Sequence, residues 1–446
     1  MPVSPARAAA FDILLRVERE NSYASELLHT SLYERLSIPD HALLTELVMG
    51  AIRWRSVLDR DIAHASSQPL ARLDLEILIA LRLAVYQFRW LHRIPSRAAL
   101  HESVELVKRA RKRSAAPFVN AVLRKLSTNS LCSQVPSVAK EISPQTIAET
   151  QAHPAWLVER WTATYGLATT NKICQHNQAI PATAIRLRNP NAEQALVAEG
   201  VKLSNGRLMS SARIVDSGKV AQSKPLRTGQ VAIQDEASQL VAALVGKGER
   251  ILDCCAAPGG KTLAMSDCNH AASITAVELH PHRARLLRKL TEAGNTQIEV
   301  LAADARHLPL SGSYHRVLAD VPCSGTGTLA RNPEIKWRLR PEDLADLQQR
   351  QLAILQSAMA QVAPGGRLVY STCSLEKEEN EDVLQQALQQ CKNFRAIPCA
   401  EELDRLKKSG ELTWPDPASL TTGPYLRTIP GIHPCDGFFA AILEKS

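Results

Sequence analysis

"RILDCCAAPGGKT", residues 250–262, decides the fold of the C-terminal half of this chain. An apolar run ending in Asp253 enters a turn of small residues, and Gly260-Lys261-Thr262 opens a helix. Strand, turn and helix in that order predict the first unit of a doubly wound α/β domain. Gly-Lys-Thr after a strand is also how nucleoside triphosphatases cradle phosphate, which makes a P-loop hydrolase one reading. Two positions argue against it. Cys255 stands where a phosphate loop needs its first glycine, and Pro258 removes an N–H that would bind the anion. Ala256, Ala257, Gly259 and Gly260 are small enough to let a different ligand approach the backbone.

Outward from this stretch, strand and helix alternate from about Gln234 to the C-terminus. Strands are predicted at "SITAVE", "IEVLAAD", "RVLAD", "GRLVYST" and "FFAAILE", and helices at 260–268, 281–293 and 342–362. Ligands of such sheets bind at the carboxyl ends of the strands, so each acid that ends a strand is a site candidate. Glu278 ends "SITAVE" about where a dinucleotide fold places the acid that meets ribose hydroxyls. Asp304 ends the third strand and Asp320 the fourth. A small-residue turn with these acids suits an adenosine nucleoside lacking a triphosphate; S-adenosyl-L-methionine and NAD both fit. The plainer alternative is that Glu278 and Asp304 cap the turns that follow them.

Ten cysteines are present without a C-x-x-C pair, which excludes the usual structural zinc spacing. The N-terminus carries Asp12, Arg16 and Glu18 where an export signal needs an apolar core, so a reduced, cytoplasmic setting is expected. The apolar run at 75–91 is broken by Arg82, Gln87 and Arg89 and predicts a buried helix, with no membrane role. Cys254, Cys268, Cys391 and Cys399 read as buried filler. Cys323 in "ADVPCSGTG" and Cys373 in "YSTCS" differ, because each follows its strand at the edge where the ligand should lie. A thiolate beside a methyl sulfonium suits methylation of cytosine at C5, a poor nucleophile until a thiol adds at C6. Asp320 is placed to hydrogen-bond the ring at N3 or N4, and Lys261 to lower the thiol pKa.

The net charge of +8 sits mainly at the front: residues 1–126 hold 19 Lys and Arg against 13 Asp and Glu. An anionic partner, with nucleic acid the natural candidate, is one reading; a solvated basic surface is the other. Residues 1–130 read as an all-α bundle, including "LHESVELVKRARKR" and "APFVNAVLRKL". A polar linker at 127–144 follows. Residues 140–232 read as a small α+β subdomain with strands at "TAIRLRN" and "GRLMSSARIV", and 233–446 as the α/β domain.

"LHESVELVKRA" and "PFVNAVLRKL" resemble the NusB-like RNA-binding domain. "DCCAAPGGKT", "ADVPCSGTG" with "RNPEIKW", "YSTCSLEKEEN" and "DGFFAAILEK" resemble the Fmu/Sun (RsmB) family of RNA cytosine-5 methyltransferases. The likeness runs over essentially the whole chain. It implies a Rossmann-like, S-adenosyl-L-methionine-dependent catalytic domain, with the cofactor held by Cys255, Ala256, Ala257, Pro258, Gly259, Gly260, Lys261, Glu278, Asp304 and Asp320. It implies Cys373 as nucleophile and Cys323 as the thiol that assists product release, an assignment residue spacing does not make. It further implies 16S rRNA, free or partly assembled, as partner, with the small α+β subdomain helping to grip it and no obligate protein partner. Glu278 departs from the Asp usual at its position, which lengthens the reach to the ribose. A non-catalytic rRNA-binding assembly factor is the rival of another class; loss of a catalytic thiol would mark it, and both thiols are present.

Overall fold

A computed structural model describes residues 3–33, 36–128, 142–291 and 297–446. Most of the linker expected at 127–144, with Cys132, lies outside the described residues. Two compact units divide the chain: Met1–Ile180 with Leu329–Arg338, and Pro181–Thr328 with Leu339–Ser446. The stretch 140–232 therefore contributes to both.

The first unit is helical. Its long helices are Pro5–Glu20, Ile38–Arg53, Arg55–Ala65, Leu75–Trp90, Ser96–Arg109 and Ala116–Thr128, followed by Pro144–Thr150, Ala155–Tyr165 and Leu167–Gln178. Phe11, Ile13, Leu44, Leu47, Leu58, Ile62, Ile79, Leu81 and Leu83 form the centre of its core. The three polar residues that break the apolar run are all matched. Arg82, 5% exposed, is held by both oxygens of Asp59 at 2.7 and 2.8 Å, with Glu18 at 3.2 Å. Gln87 accepts from Arg7 at 2.7 Å, and Arg89 pairs with Asp61 at 2.5 Å. Buried polar groups persist in a core when each finds a partner, and these do.

Segment Leu329–Arg338, which contains "RNPEIKW", packs within this helical unit. Its polar residues occupy helix ends, whose last carbonyls lack intrahelical partners. Lys336 Nζ donates to Arg53 O at 3.0 Å and Trp337 Nε1 to Ile52 O at 2.7 Å, closing the helix Ile38–Arg53. Arg338 donates to Val17 O and Ser22 O, both at 2.7 Å, and to Asn21 O at 2.8 Å, around the end of the first helix. The Arg338 guanidinium, at a helix C-terminus, also meets the negative end of the dipole.

The second unit carries two sheets. Strands β1 (Thr183–Leu187), β2 (Lys202–Asn205), β3 (Ala212–Ser217) and β4 (Val231–Ile233) form an antiparallel sheet in the order β2-β3-β1-β4. "GRLMSSARIV" enters the ladder only from Ala212. Before it, the buried carboxylate of Glu236 accepts from the N–H groups of Arg207, Leu208 and Met209 at 3.1, 2.7 and 2.9 Å, taking donors a strand would need.

The large sheet contains β5 (Arg250–Asp253), β6 (Ser273–Glu278), β7 (Gln297–Ala302), β8 (Tyr314–Asp320), β9 (Val362–Thr372), β10 (Phe394–Ile397), β11 (Thr421–Thr422), β12 (Tyr425–Thr428) and β13 (Phe438–Lys445). Its order is β11-β12-β13-β9-β8-β5-β6-β7, with β10 also on β13. The five strands from β7 to β9 are parallel, and β13 joins β9 antiparallel. Alternation along each strand feeds two cores. Ile251, Leu318, Val369 and Ile442 face one side with helix Glu236–Val245; Leu252, Val317, Leu368 and Leu443 face the other with helix Asp343–Ala360. Burial on both faces explains why these strands read as continuous apolar runs. The chain leaves β5 to build β6 and β7 on one side and β8 and β9 on the other, so the order reverses between β5 and β8.

Burial holds the Lys336 ammonium well below its ordinary pKa, opposed by Cys174 and reinforced to a lesser degree by Arg53. Folding therefore expels protons there, and stability rises with pH toward the unfolded lysine range. Lys336→Met is expected to flatten that rise between pH 7 and 9. It should also raise the melting temperature at pH 7 by about 2–4 °C, the shift that ~1 kcal/mol gives a unit of this size; thermal melts at both pH values check it.

Candidate active site

Asp253 ends β5 and Asp320 ends β8, on either side of the reversal point. Between Asp253 and helix Gly260–Cys268 runs the loop Cys254–Gly259, with a cis Ala257–Pro258 bond. Gly259 has φ +110°, and a Cβ there would lie 2.6 Å from Leu287 Cδ1, so the loop requires glycine at this position. Its near end is fixed by Thr262 Oγ1, which donates to Asp253 Oδ2 at 2.7 Å. Its far end is fixed by Lys261, whose Nζ donates to Asp320 Oδ2 at 2.6 Å and sits 4.9 Å from the Phe438 ring centroid.

Ser371, at the end of β9, donates to the other Asp320 oxygen at 2.7 Å. Burial pulls the Lys261 pKa down, but the ion pair with Asp320, aided by Cys373 and Asp253, prevails and its net direction is up. Lys261 thus stays an ammonium in the electrostatic neighbourhood of Cys373. Burial is also the main reason Asp253 is pushed up to about 6; Thr262 opposes this and the charge of Asp320 adds to it.

The two thiols singled out in the sequence, fifty residues apart, meet here. Cys323 Sγ and Cys373 Sγ are 3.3 Å apart. The Cys323 thiol is driven well above its ordinary pKa, first by its hydrogen bond with Cys373, then by burial and the charges of Cys373 and Glu379. Cys254 and Cys399 are buried as expected, whereas Cys268 is exposed and Cys391 only half-buried. Cys268 closes its helix on the solvent side, so it is not filler. Cys255 is half-exposed in the loop and burial still raises its thiol pKa well above the ordinary value.

Glu278, 7% exposed, ends β6 and accepts from the His280 N–H at 2.9 Å. Asp304 accepts from the Arg306 N–H at 2.9 Å, and the Arg306 guanidinium reaches its two oxygens at 2.6 to 3.0 Å. That contact is the main reason the Asp304 pKa is lowered. Both acids therefore make the capping bonds considered above, while their strand-end positions remain on the ligand edge. The sequence reading passed over three groups: Ser371, Phe438 and Glu379. Glu379 is fully buried in the motif "YSTCSLEKEEN", and its carboxylate accepts from the N–H of Ser324 at 2.7 Å and from Gln351 Nε2 at 2.8 Å. It stands at the end of the charged run Glu376–Glu379, so no local pattern in the sequence sets it apart.

Known proteins resemble this chain along its whole length. Residues 242–444 match the family described as 16S rRNA methyltransferase RsmB/F, and residues 4–128 match the NusB family. The probable ribosomal RNA small subunit methyltransferase B of Bacillus subtilis (strain 168) is 33% identical, with 100% of both chains covered. The ribosomal RNA small subunit methyltransferase B of Vibrio vulnificus (strain YJ016) is 30% identical, covering 98% of this chain and 99% of its own. The crystal structure of PH0851 has a TM-score of 0.79 at 24% identity, covering 100% of both chains, a likeness of fold.

A carboxylate whose folded pKa is raised binds its proton more tightly in the folded state, so stability falls as pH rises from about 4 toward 6 and the penalty persists above. Asp253→Asn, which keeps an acceptor for Thr262, is expected to stabilise the ligand-free protein above pH 6 by up to roughly 3 kcal/mol. The gain should vanish below about pH 4 in urea titrations.

Proposed function

This chain belongs to the ribosomal RNA small subunit methyltransferase B family, and we propose that it methylates C5 of a cytosine in 16S rRNA through a covalent bond to Cys373. The observation that carries the reading is the 3.3 Å approach of Cys323 and Cys373 beside the Lys261–Asp320 pair. Two thiols, one ammonium and one carboxylate at the ligand edge of the sheet are the groups this reaction requires.

The residues fit S-adenosylmethionine: a turn of small residues leading into a helix that begins at Gly260, and acids at successive strand ends. Cys255 to Lys261 would border the nucleoside, Glu278 would meet the ribose hydroxyls, and Asp304 and Asp320 would complete the pocket. When bound, S-adenosylmethionine supplies a methyl group on a sulfonium sulfur.

The remaining steps belong to the protein. Cys373, as thiolate beside the Lys261 ammonium, adds to C6 of the cytosine and makes C5 an enamine carbon. Asp320, fixed by Lys261 and Ser371, hydrogen-bonds the ring at N3 or N4 and stabilises the charge the addition creates. Once C5 carries the methyl group, its proton passes to a water molecule acting as base, a step that Cys323 assists. The C6–S bond then breaks and returns the electron pair to Cys373. Cys323 and Cys373 share one sulfur–sulfur hydrogen bond in the resting site, and the choice of Cys373 as the nucleophile rests on the likeness of its motif to the family.

The thiolate must reach the ring face, so the target base is unpaired or extruded from its stack. Exposed Arg93, Arg97, Arg111, Arg113 and Arg124 on the NusB-like unit supply positive charge for phosphate, and the small α+β region would add to the RNA grip.

Cys373→Ser is expected to abolish methyl transfer, while Cys323→Ser leaves transfer possible and accumulates an RNA–protein adduct. Denaturing gels with labelled 16S rRNA read both, and an adduct in Cys373→Ser alone would exchange the two roles. Calorimetric titration is expected to show S-adenosylhomocysteine binding and no magnesium-dependent ATP binding. ATP binding abolished by Lys261→Ala would instead restore the phosphate-loop reading.

A further inference from the structure

The loops that carry the two thiols leave adjacent strands, β8 and β9, and would be free to drift apart unless something joined them. One buried carboxylate does so. Glu379 is 0% exposed, and four donors converge on it. Oε1 accepts from the Ser324 N–H at 2.7 Å and from Gln351 Nε2 at 2.8 Å. Oε2 accepts from Ser324 Oγ at 2.5 Å and from Ser374 Oγ. Gln351 Nε2 also donates to Pro322 O at 3.0 Å. Pro322 and Ser324 bracket Cys323, and Ser374 follows Cys373, so the neighbours of both thiols end on the same group.

Further bonds close the two loops on each other. Gly327 N–H donates to Cys373 O at 2.9 Å, and Leu375 N–H to Thr326 Oγ1 at 2.9 Å. Gly327 admits no side chain, since its Cβ would lie 2.1 Å from Gly437 O. Glu379 itself lies under the loops with no surface on the ligand edge, which separates its role from that of Asp320.

We infer that Glu379 is a positioning residue that sets the distance between Cys323 and Cys373 for the methyl transfer proposed above, and the inference rests on that reading for its catalytic consequence. A carboxylate is suited to this because it offers acceptors only. Four donors can converge on it without conflict, and a buried donor left unpaired would be costly. Glutamine has the same shape but replaces one acceptor oxygen with a donor, so Glu379→Gln sets an NH₂ group against donors already in place.

The test reads thiol spacing and catalysis separately. Phenylarsine oxide condenses with two adjacent thiols, forming two As–S bonds and releasing one water, and needs no methyl transfer. Wild-type protein should be captured across Cys323 and Cys373, as shown by its loss in either Cys→Ser variant. Glu379→Gln should weaken capture at least about tenfold, because bivalent binding fails when the span changes. In the same variant kcat should fall about 10²-fold, the effect of a misplacement near 1 Å, with KM for 16S rRNA and affinity for S-adenosylhomocysteine unchanged. Gln351→Leu should show the same division with a smaller loss. Wild-type capture in Glu379→Gln overturns the inference, as does a joint loss of capture, cofactor-analogue affinity and melting temperature in both variants. Weakened capture in a protein whose wild type leaves cytosine C5 unmethylated supports the clamp and overturns the reaction assigned to it.

Discussion

The Lys261–Asp320 ion pair spans the point where the large sheet reverses its order, and the geometry of the site depends on it. Lys261 belongs to the helix that follows β5, Asp320 ends β8, and Ser371 at the end of β9 holds the second carboxylate oxygen. Two strand ends and the first turn of a helix are thereby tied through one carboxylate. A lysine ammonium packed on the Phe438 ring is costly unless it is paired, and the pair in turn fixes where Asp320 points. The loop Cys254–Gly259 is stretched between this contact and the Thr262–Asp253 bond, which gives a small-residue turn a defined course. With the cysteines of the next two loops beside it, the gap between β5 and β8 collects the reactive groups of the unit.

The helical unit obeys the same rule of matched polar groups. Arg82 could enter an apolar helix because Asp59 and Glu18 meet it. Helix ends that lack partners of their own receive Lys336, Trp337 and Arg338 from a segment distant in sequence. That segment lies between β8 and the helix Asp343–Ala360 in the chain, yet its contacts are with the helices. Charged residues in both units thus sit inside because backbone or carboxylate partners wait there, and removing one member of an ion pair leaves the other exposed to the full desolvation cost.

Much of the architecture was legible beforehand. Apolar runs of four to seven residues separated by helical periodicity predicted β5, β6, β7, β8, β9 and β13, and the structure contains them with shifts of a few residues at their ends. The largest shift is β9, which begins at Val362, ahead of "GRLVYST". The helices at 75–90 and 116–128 also follow their patterns. "GRLMSSARIV" was misread in its first half because the acceptor that bends it, Glu236, lies on another element. The placement of "RNPEIKW" was illegible for a related reason: its partners are unpaired carbonyls, and a carbonyl carries no mark in the sequence. At the site, Cys323, Cys373, Asp320 and Lys261 could be named from their strand-end positions. Glu379 was hidden among four consecutive charged residues that look like a solvated turn.

Local pattern suffices for what is periodic or one-dimensional. Alternation, strand-end acids and the two thiol motifs determined a doubly wound α/β unit behind a helical one and selected the residues of the candidate site. The fold alone decided which of those residues meet. The 3.3 Å between Cys323 and Cys373, the sharing of Asp320 by Lys261 and Ser371, and the convergence of four donors on Glu379 all join segments far apart in the chain. Strand order brings these segments together, and strand order follows from how two apolar faces are covered by helices, a property of the whole unit that no single stretch contains.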